Sequence, residues 1–140
     1  MPTLLKIRYQ IQEPRAEKTA WGFALTLYKP DWTTETLVPI TAAELTALTL
    51  TLYDEATIGA VGAGIINAVN DENILNAGHG TLHATSGRLN VGFHDADNPI
   101  VTASTDLEVH VALIEATFNA GLDSIRQEIV FSIKNLSKVA

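Results

Sequence analysis

Four histidines are the first candidates for chemistry in this sequence. His79 and His83 are four residues apart, which on a helix would place two imidazoles around one zinc ion. Gly78 and Gly80 disfavour a helix here, and a strand is the better interpretation. On a strand, residues four apart share a face but lie about 13 Å apart, too far for one ion. We therefore predict no metal and no cofactor. Surface or hydrogen-bonded roles are expected for all four histidines: His79, His83, His94 and His110.

Acidic residues offer two further chemistries. The segment 95–98 (DADN) could begin a calcium loop, but the glycine and glutamate that complete an EF-hand are missing. A turn whose Asp and Asn side chains bond the local backbone is favoured, with a single calcium staple as the alternative. Paired carboxylates on strands could also hydrolyse a glycoside. The three candidates, Glu108, Glu115 and Glu128, are expected to face solvent, and we predict that the protein is not an enzyme.

Composition narrows the class of protein. The chain has 140 residues, of which 9 are basic and 16 acidic, with a formal net charge of −7. Nucleic acid is a poor partner for such a charge, because phosphate binding needs concentrated Lys and Arg. There are no cysteines, so stability must come from packing and hydrogen bonds. Charges interrupt every apolar stretch before it is long enough for a membrane span, so we expect a soluble protein made without a secretion signal.

Aromatic and basic side chains near the N-terminus are the candidate partner contacts. An aromatic ring with a polar tip suits an interface, and Trp32 lies in a predicted Pro-Asp-Trp turn. Five of the nine basic residues fall within the first 29 positions and could meet an acidic surface. The predicted contact residues are Trp32, Trp21, Tyr28, Lys6 and Arg8.

Residues 107–136 contain the most informative strand pattern. Apolar side chains alternate with polar or small ones on both sides of a turn at 119–123, which predicts a hairpin with one face in a core. The predicted core positions are Leu107, Val109, Val111 and Leu113 in the first strand, and Ile129, Phe131 and Ile133 in the second.

Similar strands precede this hairpin. Alternation predicts strands near 4–12, 21–28 and 48–53, and a hairpin over 81–94. Thr41 and Glu44 have the spacing of a helix cap and predict a turn or a single helical turn. Asn70 or Asp71 could begin a short helix ending at Ala77, with an irregular connection as the alternative. The fold class is therefore all-β: an immunoglobulin-like β-sandwich of seven to eight antiparallel strands with at most one short helix. Residues 1–36 are expected to form an N-terminal hairpin or arm, and residues 37–140 the sandwich domain.

Several segments together resemble small immunoglobulin-like virion proteins of tailed bacteriophages. The resemblance covers about residues 37–137 and is carried by LTLTLYDEAT (48–57), IIN (65–67), NILNA (73–77), SGRLNV (86–91), DADNPIV (95–101), LEVHVALIEATF (107–118) and EIVFSIKNL (128–136). It implies a structural virion protein, most simply a capsid decoration or cement protein that bridges capsid subunits. The implied partner is the major capsid protein or another virion protein, and a second copy of the chain is a further candidate partner. Head–tail or tail attachment is the nearest alternative role. The aromatic residues favour a different alternative, a carbohydrate- or host-surface-binding module.

Overall fold

The computed structural model describes residues 3–57, 64–101 and 106–136, and within them the chain forms a β-sandwich of eleven strands. In chain order these are β1 (Thr3–Gln10), β2 (Arg15–Ala16), β3 (Trp21–Thr26), β4 (Tyr28–Asp31), β5 (Thr36–Pro39), β6 (Leu45–Asp54), β7 (Glu72–Asn73), β8 (Gly80–Leu82), β9 (Arg88–Phe93), β10 (Leu107–Phe118) and β11 (Asp123–Lys134). Three single 3-10 turns accompany them: Ala42–Glu44, Glu55–Thr57 and Asp95–Asp97. The all-β prediction is confirmed, whereas the immunoglobulin-like type stays a prediction.

Two sheets face each other across the core. The larger has the strand order β1-β11-β10-β6-β7, with β2 also pairing with β11, and the smaller has the order β3-β9-β8. Strands β4 and β5 form a separate antiparallel hairpin. The predicted C-terminal hairpin is confirmed, with β10 and β11 antiparallel from Leu107 opposite Lys134 to Phe118 opposite Asp123.

Alternation decides which side chains fill the core. In the larger sheet, Leu48, Leu50 and Leu52 are fully buried, as predicted for a strand with Thr on its opposite face. Val91 and Phe93 of β9 belong to the same cluster from the smaller sheet. Burial of such side chains contributes roughly 1.5–3 kcal/mol each, and packing of this kind holds the two layers together.

The N-terminal segment enters both layers. Strand β1 pairs in parallel with β11, and β3 pairs in antiparallel with β9. The first two long strands therefore do not form a hairpin with each other, and the parallel β1–β11 pairing departs from the expected all-antiparallel order. The hairpin found instead is β4–β5, which joins residues 28–31 to 36–39.

The predicted inward face of β10 is wrong at three of its four positions, since only Val111 is buried. Leu107 is 50% exposed and Val109 37% exposed, whereas His110 and Ala112 are fully buried. The long pairing with β11 places His110 opposite Phe131, a core residue, and thereby turns the even-numbered side chains inward. Because a one-residue shift moves every side chain to the other face, Glu108 also lies on the core side.

The segment after β6 contains a short strand where a helix was one interpretation. Glu72 and Asn73 pair with β6, and Asp71 and Asn76 have positive φ angles that interrupt any helix. Asn76 instead accepts a hydrogen bond from the backbone of Leu82 at 2.7 Å. The short-helix interpretation is therefore wrong here, while the predicted single turn at Thr41–Glu44 is confirmed, with the Thr41 N–H donating to Glu44 Oε1 at 3.1 Å.

Candidate functional site

The most exposed aromatic side chain in the described part of the protein lies at the tip of the β4–β5 hairpin. Trp32 is 75% exposed, directly after β4. Asp31 shapes the tip by accepting a hydrogen bond from the Thr33 N–H at 2.9 Å. Such local bonds let an Asp residue close a tight turn. The hairpin thus holds an indole ring out of its own domain on an ordered support.

A cleft of about 660 Å³ separates this hairpin from the β10–β11 turn. Trp32 and Phe118 supply apolar surface, and Asn119 and Asp123 come from the opposite wall. At the wall formed by β4, the Lys29 ammonium pairs with Glu44 and lies 5.9 Å from the centre of the Phe118 ring. The cleft therefore combines one exposed aromatic ring with amide and charged groups.

The charge of Glu44 is fixed by its neighbours. Partial burial raises the pKa of Glu44, but hydrogen bonds from Lys29 and from Thr41 outweigh burial and hold the pKa below its ordinary value. The carboxylate therefore stays ionised as an ion-pair partner of Lys29 and does not act as a proton donor at neutral pH.

Trp21 and Trp32 occupy different environments. Trp21 packs against three phenylalanine rings in the core, with centroid distances of 4.8 Å to Phe131 and 5.1 Å to Phe93. Its indole N–H donates to Asn98 Oδ1 at 3.0 Å. The structure thus gives Trp21 a packing partner in its own domain, as the alternation in β3 indicates, and separates it from the hairpin.

The remaining predicted contacts lie on the hairpin and on β1. Tyr28 is 39% exposed at the start of β4. On β1, the Arg8 guanidinium lies 2.6 Å from Glu128 and 2.5 Å from Glu55, and these hydrogen bonds raise its pKa. Lys6 lies 3.9 Å from Glu128. Arg8 therefore already has two carboxylate partners, while Trp32 and Tyr28 share one hairpin.

The expected solvent exposure of the strand glutamates is only partly found. Glu115 is half-buried and lies 3.5 Å from Arg126. Glu128 is on the outer face of β11 but is 8% exposed, because the β1 side chains cover it. Glu108 was predicted to face solvent and is buried on the core face, since β10 is turned by one residue from the expected phase.

The histidines also separate into different roles. His83 is exposed and its Nδ1 accepts the Ser86 N–H at 3.1 Å, so it closes a turn away from His79. His79 places Nδ1 at 2.5 Å from Glu72 Oε2 and Nε2 at 2.8 Å from Asp97 Oδ2. The two-histidine zinc geometry is therefore not formed.

The turn at 95–98 bonds its own backbone, as favoured from the sequence. The His94 N–H donates to Asp97 Oδ2 at 2.8 Å, and Asn98 donates to the His94 carbonyl at 3.2 Å. The sequence did not reveal that Asp97 is fully buried, because its acceptor role for Asn67 and His79 depends on segments far away in the chain.

One further group of ionisable side chains could hold a metal. Asp54, Glu108 and His110 are buried together at the end of β6 and the beginning of β10. Sequence reasoning missed this group because the predicted phase of β10 placed Glu108 in solvent.

The chain was compared with protein-family models and with curated proteins. No protein-family model matches it, and no similar curated protein is found. Within the described residues, no helix has the length and apolar character needed to cross a bilayer.

Proposed function

We propose that this protein is a non-enzymatic structural component of a tailed-phage particle, a capsid decoration protein that docks on the major capsid protein and bridges adjacent subunits. The observation that carries the proposal is Trp32, exposed at the tip of a hairpin whose strands pair with each other outside both sheets of the sandwich. The resemblance in the strand pattern supports the virion setting, and the exposed hairpin supports the docking role.

The energetics favour Trp32 as an anchor. Burying the exposed part of a tryptophan, roughly 150 Å², contributes about 4 kcal/mol before the costs of association. Interfaces draw most of their affinity from a few such aromatic residues surrounded by near-neutral contacts. On a symmetric shell, many equivalent copies could each bind modestly and still reinforce adjacent subunits.

A co-sedimentation experiment tests this proposal. The purified chain is mixed with capsids and with tails that lack it, and the pelleted fraction is measured over a concentration series. We expect saturable binding to capsids, and a loss of at least tenfold in affinity for Trp32→Ala. The matched control is Leu136→Ala, which removes a 52% exposed apolar side chain outside the cleft. Binding to tails alone would transfer the role to head–tail or tail attachment, and absence of binding to either would reject the virion role.

The cleft favours carbohydrate binding as the second candidate function. An exposed indole ring next to Asp31, Asn119 and Asp123 offers the stacking surface and hydrogen-bonding groups that a sugar ring uses. A glycan array probed with the wild type and with Trp32→Ala separates the candidates. Specific glycan signals that disappear in the variant would favour this function over docking on a capsid.

A further inference from the structure

We propose that Asp54, Glu108 and His110 form a binding site for a divalent transition-metal ion, with Zn²⁺ as the best fit. Their exposed fractions are 2%, 5% and 0%, so all three belong to the interior of the sandwich. One ligand atom from each lies within 4.8 Å of the other two. This site is separate from the cleft at Trp32 and does not depend on the proposed docking function.

The backbone brings the three residues together. Asp54 is the last residue of β6 and stands directly opposite His110 in the antiparallel β6–β10 pairing. Glu108 precedes His110 by two positions, so both side chains lie on the same face of β10. Opposing and alternate positions of paired strands therefore supply a three-sided arrangement without a special loop.

The spacing suits one small cation. His110 Nε2 and Glu108 Oε1 lie 2.9 Å apart, in contact as a hydrogen bond. Zinc binds imidazole nitrogen and carboxylate oxygen at about 2.0–2.2 Å, which puts neighbouring ligand atoms roughly 3–4 Å apart. The 2.9 Å contact and the outer limit of 4.8 Å for the set therefore lie near the spacing that one ion requires.

The imidazole of His110 provides a second, independent indication. Its Nδ1 atom is buried and has no hydrogen-bond partner within the described ranges 3–57, 64–101 and 106–136. A buried polar nitrogen without a partner is costly, and it leaves the ring held through Nε2, which contacts Glu108. A cation bound to either ring nitrogen would fix the tautomer, as it does in metal-bound histidines.

The cluster around His79 provides a useful contrast. There the two carboxylates sit on opposite ring nitrogens, Glu72 at Nδ1 and Asp97 at Nε2, so both nitrogens are satisfied by ion pairs. Around His110, by contrast, the three potential ligand atoms converge on one small region. Similar residue types therefore produce an ion-pair bridge in one place and a metal-binding geometry in the other.

The types of ligand indicate which ion would bind, and the burial of the ligands indicates that its role would be structural. One imidazole with two carboxylates favours Zn²⁺ over Ca²⁺, which prefers six to eight oxygen ligands. The Val101 N–H donates to Glu108 Oε1 at 2.7 Å and orients that carboxylate, as an outer partner of a metal ligand does. Because the ligands are buried, the ion would fasten the end of β6 to the beginning of β10.

A metal titration tests this proposal. The 140-residue chain is treated with EDTA, dialysed, and titrated with ZnCl₂ and separately with CaCl₂ in a calorimeter. We expect one Zn²⁺ per chain and at least a hundredfold weaker binding of Ca²⁺. At a free Zn²⁺ concentration a hundred times the Kd, the melting temperature should rise by roughly 5–10 °C. Absence of stoichiometric Zn²⁺ uptake would overturn the proposal.

Variants locate the ion. Glu108→Gln should lower Zn²⁺ affinity at least tenfold and remove the Zn²⁺-dependent rise in melting temperature, while the metal-free variant still folds. The matched controls are Glu115→Gln, on the outer face of the same strand, and His79→Gln, in the other histidine cluster, and both should keep the full Zn²⁺ response. Unchanged uptake by Glu108→Gln would contradict the site.

A titration of the wild-type chain keeps the proposal testable if Glu108→Gln does not fold. Histidine-ring ¹⁵N NMR spectra report each of the four imidazoles during the Zn²⁺ titration. Single variants at His79, His83 and His94 assign three of the signals, and His110 is assigned by elimination. The expected result is a large shift at His110 in step with one equivalent of Zn²⁺. Shifts confined to His79, His83 or His94 would show that the ion binds elsewhere and overturn the assignment.

Discussion

The Nε2 atom of His79 lies 2.8 Å from Oδ2 of Asp97, a carboxylate with no exposed surface. Burial lowers the pKa of His79, but hydrogen bonds to Glu72 and Asp97 outweigh it and raise the pKa above its ordinary value. Burial likewise raises the pKa of Asp97, and its bonds from Asn67, the His94 backbone and His79 bring the net pKa below its ordinary value. The pair is therefore an ion pair in the folded protein at mildly acidic pH.

This ion pair makes stability depend on pH. Because the folded pKa of His79 is raised, its contribution is fully present below about pH 6.5, the unfolded pKa, and is lost as the pH rises through the folded pKa. The lowered pKa of Asp97 adds stability that is present above about pH 4 and lost as the pH falls further. Urea denaturation should show His79→Gln costing about 1–3 kcal/mol at pH 5.5 and less at pH 9. An equal loss at both pH values would contradict the charged state of His79.

Two glycines in the smaller sheet should differ in how well they tolerate an added methyl group. A Cβ at Gly80 would lie 2.2 Å from the Ile74 carbonyl oxygen, whereas a Cβ at Gly92 would meet nothing within 4 Å. We expect Gly80→Ala to lower the free energy of unfolding by about 2 kcal/mol or more, because backbone must move. Gly92→Ala should stay within about 0.5 kcal/mol of the wild type. Guanidinium denaturation of both variants tests this, and equal effects would refute the close approach of Gly80 to Ile74.

Substitutions of the two tryptophans should differ in their effect on the stability of the fold. Trp21→Ala removes a ring packed against Phe93 and Phe131 and should cost about 3–5 kcal/mol of unfolding free energy. Trp32→Ala removes a 75% exposed ring and should change stability by less than about 0.5 kcal/mol. Thermal denaturation measures both. A large loss of stability in Trp32→Ala would mean that the hairpin is a packing element, and co-sedimentation results for that variant would then not report on docking.

The ion pair between Arg8 and Glu55 should contribute little to stability. The Arg8 side chain is 47% exposed and the Glu55 side chain 42% exposed, so water and salt screen their attraction. Glu55→Gln should cost less than about 1 kcal/mol and lose even that difference in 1 M NaCl. Denaturation at 0.05 M and 1 M NaCl checks the expectation. A larger, salt-independent loss would indicate that Glu55 is needed to hold Arg8 and β1 on β11.

Local alternation predicted most of the strands but not the orientation of β10. In β6, Leu48, Leu50 and Leu52 alternate with Thr and Tyr, so only one face can enter a core. In β10 both faces carry apolar residues, and the choice between them depends on pairing with β11. The sequence pattern favoured the odd-numbered positions, whereas the opposing Phe131 turns the even-numbered ones inward. The pairing with β11, and not the local alternation, therefore determines which face of β10 enters the core.

The sequence also predicted only part of the candidate site around Trp32. The Pro-Asp-Trp turn indicated an exposed Trp32, and the structure places that ring at a hairpin tip. The cleft beside it could not be anticipated, because its other wall comes from the β10–β11 turn, far along the chain. Likewise, the meeting of Asp54 with His110 depends on the β6–β10 register, which no short sequence window contains.

The parallel pairing of β1 with β11 has a consequence for synthesis on the ribosome. Arg8 and its partner Glu128 are 120 positions apart, so β1 must wait until the ribosome has added all the residues between them before its neighbour exists. Contacts this distant slow folding and leave an unpaired edge open to other nascent chains. Newly made chains should therefore be prone to aggregate, and should depend on chaperones, until β11 emerges from the ribosome.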